Sequence, residues 1–134
     1  MSYTGAIKET PRILVIDDEK DVCIFLEDVL DEDGYDVLTA LSVEEGVKAV
    51  SSMRPDIVLI DKNMHAENGI DVLARIKAID ENIVVIVMTG YGTMESARRA
   101  MELGAFDYIT KPFDLDCVKT VIKNSLRGRT KTSV

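Results

Sequence analysis

Three runs of apolar, β-branched-rich residues constrain this chain more than anything else in it: Ile13 to Ile16, Ile57 to Ile60 and Ile83 to Met88. None is broken by a polar residue. A strand with one face in water alternates apolar and polar positions, whereas a strand covered on both faces does not. The runs therefore predict strands inside a parallel sheet. Two weaker candidates, Asp36-Val-Leu-Thr-Ala40 and Phe106-Asp-Tyr-Ile109, complete a set of five.

Parallel neighbours need long crossovers, and helical spacing appears in each interval. Val22, Phe25, Leu26, Val29 and Leu30 repeat at helical period, with Gly34 as a stop. Ser42 with Glu45 three residues on reads as a capping box ahead of Val43, Val47 and Val50. Val72, Leu73, Ile76 and Ile79 form a third stripe, and Met94, Ala97 and Met101 a fourth, with Gly104 just beyond. The last helix begins near Asp114 and carries Leu115, Val118 and Ile122. The order is β-α repeated five times, which predicts an α/β fold with right-handed crossovers and helices on both faces. A length of 134 residues suits one domain. Residues 11–127 are expected to form it. Residues 1–10 are expected to be a flexible N-terminal segment, and 128–134 a basic tail or the start of a linker.

A net charge of −8 repels phosphate backbones, and 5% aromatics without Trp offer little for bases to stack on. Direct nucleic-acid contact is not expected. The longest apolar run is far too short to span a bilayer, and residues 1–11 lack a signal peptide's apolar core. The expected address is the cytoplasm, without membrane contact. Cys23 and Cys117 form no CxxC pair and read as two reduced, partly buried thiols.

In open parallel sheets ligands bind outside the carboxyl ends of the strands. Asp17 and Asp18 follow the first strand, Asp61 the third, Thr89 and Gly90 the fourth, and Thr110, Lys111 and Pro112 the fifth. Each has an ordinary explanation: Asp17 and Asp18 as helix caps, Asp61 as the ion-pair partner of Lys111, Thr89 as a polar strand end. Their convergence on one edge is harder to explain that way. Three close carboxylates either hold a proton or need a cation, and Mg²⁺ suits oxygen ligands with retained waters. Lys111 and the Thr89 hydroxyl would then face a transferring phosphoryl group.

With ILVIDDE at 13–19, D-x-x-M at Asp61 to Met64 followed by Gly69, TGYG at 89–92 and GAFDYITKPF at 104–113, the chain resembles the receiver domains of two-component response regulators. The resemblance runs from about Arg12 to Leu126. It implies a flavodoxin-like, doubly wound (βα)5 fold with a five-stranded parallel sheet in the order 2-1-3-4-5. It makes Asp61 the phosphoacceptor, with Asp17, Asp18, Asp61 and the backbone carbonyl of Asn63 as ligands of Mg²⁺, for which Mn²⁺ can substitute. Thr89 and Lys111 match the switch hydroxyl and the phosphoryl-binding lysine, and Tyr108 the rotating aromatic. Asn63 and Tyr91 match positions that tune phosphoryl lifetime. The Lys111–Pro112 bond is typically cis in that family. His65 departs from the pattern, which usually has Pro there, and would leave the loop more mobile or sensitive to pH.

The implied partners are a sensor histidine kinase or a histidine phosphotransfer protein, with transcription as one output. A homodimer through the face of the fourth helix, fifth strand and fifth helix is also implied. The chain is then a regulatory phosphoacceptor rather than an enzyme, capable only of self-phosphorylation from small donors and self-dephosphorylation. Two rivals remain. A Mg²⁺-dependent phosphatase of the haloacid dehalogenase kind would need an acid two residues beyond the nucleophile, where this chain has Asn63. A degenerate receiver used for docking would not need Asp17, Asp18, Asp61, Thr89 and Lys111 together.

Overall fold

The computed structural model describes residues 10–64, 68–90, 94–111 and 114–132, with side chains as far as 127. Five strands alternate with five helices: β1 (Arg12–Ile16), α1 (Lys20–Glu32), β2 (Asp36–Ala40), α2 (Val43–Met53), β3 (Ile57–Asp61), α3 (Gly69–Ile79), β4 (Val84–Thr89), α4 (Met94–Glu102), β5 (Asp107–Thr110) and α5 (Leu115–Thr132). The sheet is parallel throughout, in the order β2-β1-β3-β4-β5. Fold class and strand order are those expected.

The unbroken apolar runs conceal an alternation of faces. Ile13 and Val15 of β1, Ile57 and Leu59 of β3, and Ile86 and Met88 of β4 pack against Cys23, Leu26 and Leu30 of α1 and Val118, Val121 and Ile122 of α5. Their neighbours Leu14, Ile16, Val58, Ile60, Val85 and Val87 pack against α2, α3 and α4. Both faces are dry, so every position is apolar. The register is tight: Asp61 lies opposite Met88, and Thr89 opposite Thr110, so both reach the same edge.

Helix ends follow local chemistry. Ser42 accepts from the Glu45 N–H at 3.2 Å, and Glu45 reaches back to the Leu41 N–H at 2.9 Å, which is the predicted capping box shifted by one residue on its return bond. Gly34 stops α1 at φ +93°, and the Tyr35 N–H turns back to the Leu30 carbonyl.

The helix stripes differ from expectation in places. Phe25 of α1 is half exposed, its place in the core taken by Cys23. On α4 the expected Met94 and Met101 point outward, Met94 at 90% exposure, and the buried residue is Ala100. A small side chain there lets the helix lie close to the sheet. Cys117 is exposed rather than partly buried, because α5 turns Val118 and Val121 inward. α5 itself continues to Thr132, through the stretch expected as a tail. Among the described residues no helix is long and apolar enough to cross a membrane.

Candidate phosphoryl and metal site

The carboxyl edge gathers the expected groups. Asp17, Asp18 and Asp61 each offer a carboxylate oxygen, and these oxygens lie within 4.8 Å of one another. Asp17 is wholly buried and Asp61 is 4% exposed. The backbone explains why: the Asp17 N–H is tied to the Ala40 carbonyl, and the Lys62 N–H to the Met88 carbonyl, which pins both acids at the mouth of a dry sheet. Asp17 also accepts from the Glu19 N–H at 2.9 Å, so it orders the entry to α1 while Glu19, not Asp17 or Asp18, is the N-cap.

Lys111 supplies the positive charge. Its Nζ hydrogen-bonds Asp17 Oδ2 at 3.0 Å and stands 3.6 Å from Asp61 Oδ1 and 3.7 Å from Glu19 Oε1. The ion pair expected for Asp61 is thus the longer of its two buried contacts. Burial alone would push the lysine's pKa down. The hydrogen bond and charge of Asp17, with Asp61 and Glu19 behind it, outweigh that and hold it above its ordinary value. Asp61 is raised, first by burial and then by the charges of Asp17 and Asp18, against the Asn63 N–H and Lys111, which lower it. Among the described residues Lys111 sets one positive charge beside three carboxylates, and an oxygen-preferring dication fits the donor set.

The loop after Asp61 is fixed by contact. A Cβ on Gly69 would sit 2.5 Å from the Asp61 carbonyl oxygen and 2.6 Å from Lys62 Cα, so α3 begins flush against the backbone that carries Asp61. The Gly69 N–H binds the Lys62 carbonyl at 2.8 Å, Asn68 caps α3 by accepting from the Ile70 N–H, and Asn63 bridges Asn68. Asn63 sends its N–H to Asp61 Oδ1 at 3.2 Å and accepts the Thr89 hydroxyl on its side-chain oxygen at 2.7 Å. Thr89 is wholly buried. Tyr108 lies half-buried on β5, its hydroxyl 2.8 Å from Ser96 Oγ of α4. Beneath the site, burial and then the Asp17 charge push the Cys23 thiol up to about 11.

The structure therefore brings together Asp17, Asp18, Asp61, Asn63, Thr89 and Lys111, and sets Tyr108 two residue pairs back from Thr89 along the β4–β5 ladder. Tyr91, His65 and Pro112, with the expected cis bond, lie outside the described residues. Sequence reasoning assigned no role to Glu19 or Ser96. Glu19 was legible as a third consecutive acid, whereas the Ser96–Tyr108 contact leaves no periodic trace.

A model of the response regulator receiver domain matches residues 13–123. Sporulation initiation phosphotransferase F of Bacillus subtilis is 38% identical over 115 residues, covering 86% of this chain and 93% of that protein. Transcriptional regulatory protein PrrA of Mycobacterium tuberculosis is 34% identical over 92% of this chain, which spans 53% of that regulator's length. A crystal structure of a response regulator receiver domain protein from Clostridium thermocellum superposes with a TM-score of 0.86 at 36% identity, over 92% of this chain and 99% of that one.

Proposed function

Because this chain belongs to the response regulator receiver domain family of two-component systems, we propose that Asp61 is its phosphoacceptor and that Thr89, Lys111 and Tyr108 convert the phosphoryl group into a change of surface. The observation that carries this reading is the carboxylate cluster itself: three acids at one sheet edge, a single lysine within 3.6 Å of Asp61, and a hydroxyl tied to the residue that holds Asp61.

An Asp61 oxygen attacks phosphorus in line. The phosphorus–nitrogen bond of a donor phosphohistidine breaks, its electron pair and a proton go to the imidazole, and an acyl phosphate remains on Asp61. Asp17, Asp18, Asp61 and the Asn63 carbonyl would hold Mg²⁺, which would supply charge neutralisation when bound. Lys111 leaves Asp17 for an equatorial phosphoryl oxygen, a short move since it already stands between the two acids. Thr89 donates its hydroxyl to another oxygen. Tyr108 gives up Ser96 and turns inward, which alters the α4-β5-α5 face. Moving that equilibrium from 1:99 to 99:1 takes roughly 5.5 kcal/mol of differential stabilisation, within reach of a few charge-assisted contacts.

Asn63 and Tyr91 tune hydrolysis. Small donors such as acetyl phosphate suffice for self-phosphorylation, and self-dephosphorylation resets the switch, both in the cytoplasm. The physiological donor is a sensor histidine kinase or a histidine phosphotransfer protein. The names of the B. subtilis and M. tuberculosis relatives favour a relay role or a transcriptional output. Exposed Met94, Met101 and Phe106 give the α4-β5 face the apolar area a homodimer would cover. The family match gives the phosphatase alternative no support, and the complete set of site residues argues against a docking-only module.

Intact-mass spectrometry after incubation with acetyl phosphate and Mg²⁺ tests the reading. One labile, Mg²⁺-dependent adduct, absent from Asp61→Asn, is expected. An adduct that survives in Asp61→Asn would sink the assignment.

A further inference from the structure

Asn63 does two jobs with two ends. Its backbone N–H holds the Asp61 carboxylate at 3.2 Å, and its side-chain oxygen accepts the Thr89 hydroxyl at 2.7 Å. A threonine hydroxyl has one proton to donate. It can give that proton to Asn63 or to a phosphoryl oxygen on Asp61, not to both. We infer that the Asn63 side chain is a resting-state latch for the switch: its hydrogen bond holds Thr89 in the unphosphorylated arrangement, and phosphorylation must break it. The inference rests on the phosphoacceptor reading above and adds to it a positioning role for Asn63 separate from any effect on hydrolysis.

The surroundings make the latch rigid. The Asn63 backbone is held in place, because it bridges Asn68 and Gly69 is pressed against Asp61 and Lys62 with no room for a Cβ. Thr89 is wholly buried at the end of β4, laddered to Thr110 on one side, so its hydroxyl moves mainly by rotating about its own side chain. Active and resting arrangements then differ by an exchange of acceptors for one proton. Losing the resting acceptor makes activation cheaper.

Beryllofluoride with Mg²⁺ is the probe, since it mimics a phosphoryl group that cannot hydrolyse and so removes lifetime from the measurement. Half-saturation is read from the amide NMR shifts of Thr89 and Tyr108 in the full chain. Asn63→Ala is expected to lower the half-saturating concentration about three- to tenfold, the worth of one hydrogen bond. In a Thr89→Val background, which has no hydroxyl to latch, the same substitution is expected to change nothing, and in Thr89→Ser the full effect returns. An equal effect of Asn63→Ala in the Val and Thr backgrounds, or a raised half-saturation in the Thr background, overturns the latch while leaving the acceptor reading intact. A wild-type chain that does not bind beryllofluoride overturns both.

Discussion

At the amino edge of the sheet, Arg12 sends its Nε to Asp36 at 2.9 Å, one terminal nitrogen to the Met53 carbonyl at 2.6 Å, and its backbone N–H to Asp56 at 2.8 Å. At the carboxyl edge, Lys111 stands among Asp17, Asp61 and Glu19. The materials are the same, carboxylates beside one cation, but the settings differ. The side chains of Arg12 and Asp36 are 33% and 44% exposed, so water shares the work and the pair contributes little. Asp17 and Asp61 are out of water and share one lysine. A pair in solvent staples the fold; a carboxylate cluster away from solvent is a place where a ligand can be useful.

The sharpest way to break this contrast is at the glycines of the two edges. Gly69→Ala forces a Cβ into backbone atoms at the carboxyl edge and is expected to cost roughly 2–3 kcal/mol, with loss of the phosphoryl adduct. Gly34 at the amino edge has open space around it and needs only its positive φ, so Gly34→Asn should cost about 1 kcal/mol and leave the adduct intact. Urea titration of both variants decides the matter, and equal losses would remove the distinction.

Charge comes next. Asp61→Asn relieves the cluster, so without Mg²⁺ the variant should be more stable than the wild type by about 1 kcal/mol. Adding Mg²⁺ at ten times its dissociation constant should raise the wild type by about 1.4 kcal/mol and the variant much less. Thermal melts with and without Mg²⁺ test both, and a variant that melts lower than the metal-free wild type refutes the idea of a mutually repelling carboxylate cluster.

The same argument has a pH signature. The folded-state pKa of Asp61 is raised, so the protonated form is favoured by folding. Its contribution is present below the ordinary carboxylate range, about pH 4, and is lost as pH rises through the raised value. The stability difference between wild type and Asp61→Asn, measured from pH 3 upward without metal, should therefore widen in the variant's favour. The smallest effect belongs to Arg12→Lys, which keeps the charge but drops part of the fork. Less than about 1 kcal/mol is expected, with phosphorylation unchanged.

The fold was legible because burial on both faces leaves an unmistakable mark: Ile13 to Ile16 and Ile57 to Ile60 could hardly be anything but inner strands. The placing of Asp17, Asp61, Thr89 and Lys111 on one sheet edge was legible because strand ends are fixed once strands are. What escaped notice depends on side-chain direction or on contacts distant in sequence. Met94 and Met101 attract attention by size, yet Ala100 is the residue α4 turns to the sheet. The bonds from Asn63 to Thr89 and from Ser96 to Tyr108 join residues 26 and 12 apart, and no spacing in the sequence pairs them. Lys111 meets Asp17 across 94 residues, and only the topology brings them together.

The strand order has a mechanical corollary. β3, which carries Asp61, is laddered on both sides, to β1 and to β4. β5, which carries Tyr108 and leads to Lys111, is laddered on one side only. Force applied at Asp61 would therefore meet a stiff support on β3 and a more compliant margin at β5. Amide exchange should divide the sheet in the same way, slow in β3 and faster in β5, with the compliance placed where a partner can feel it.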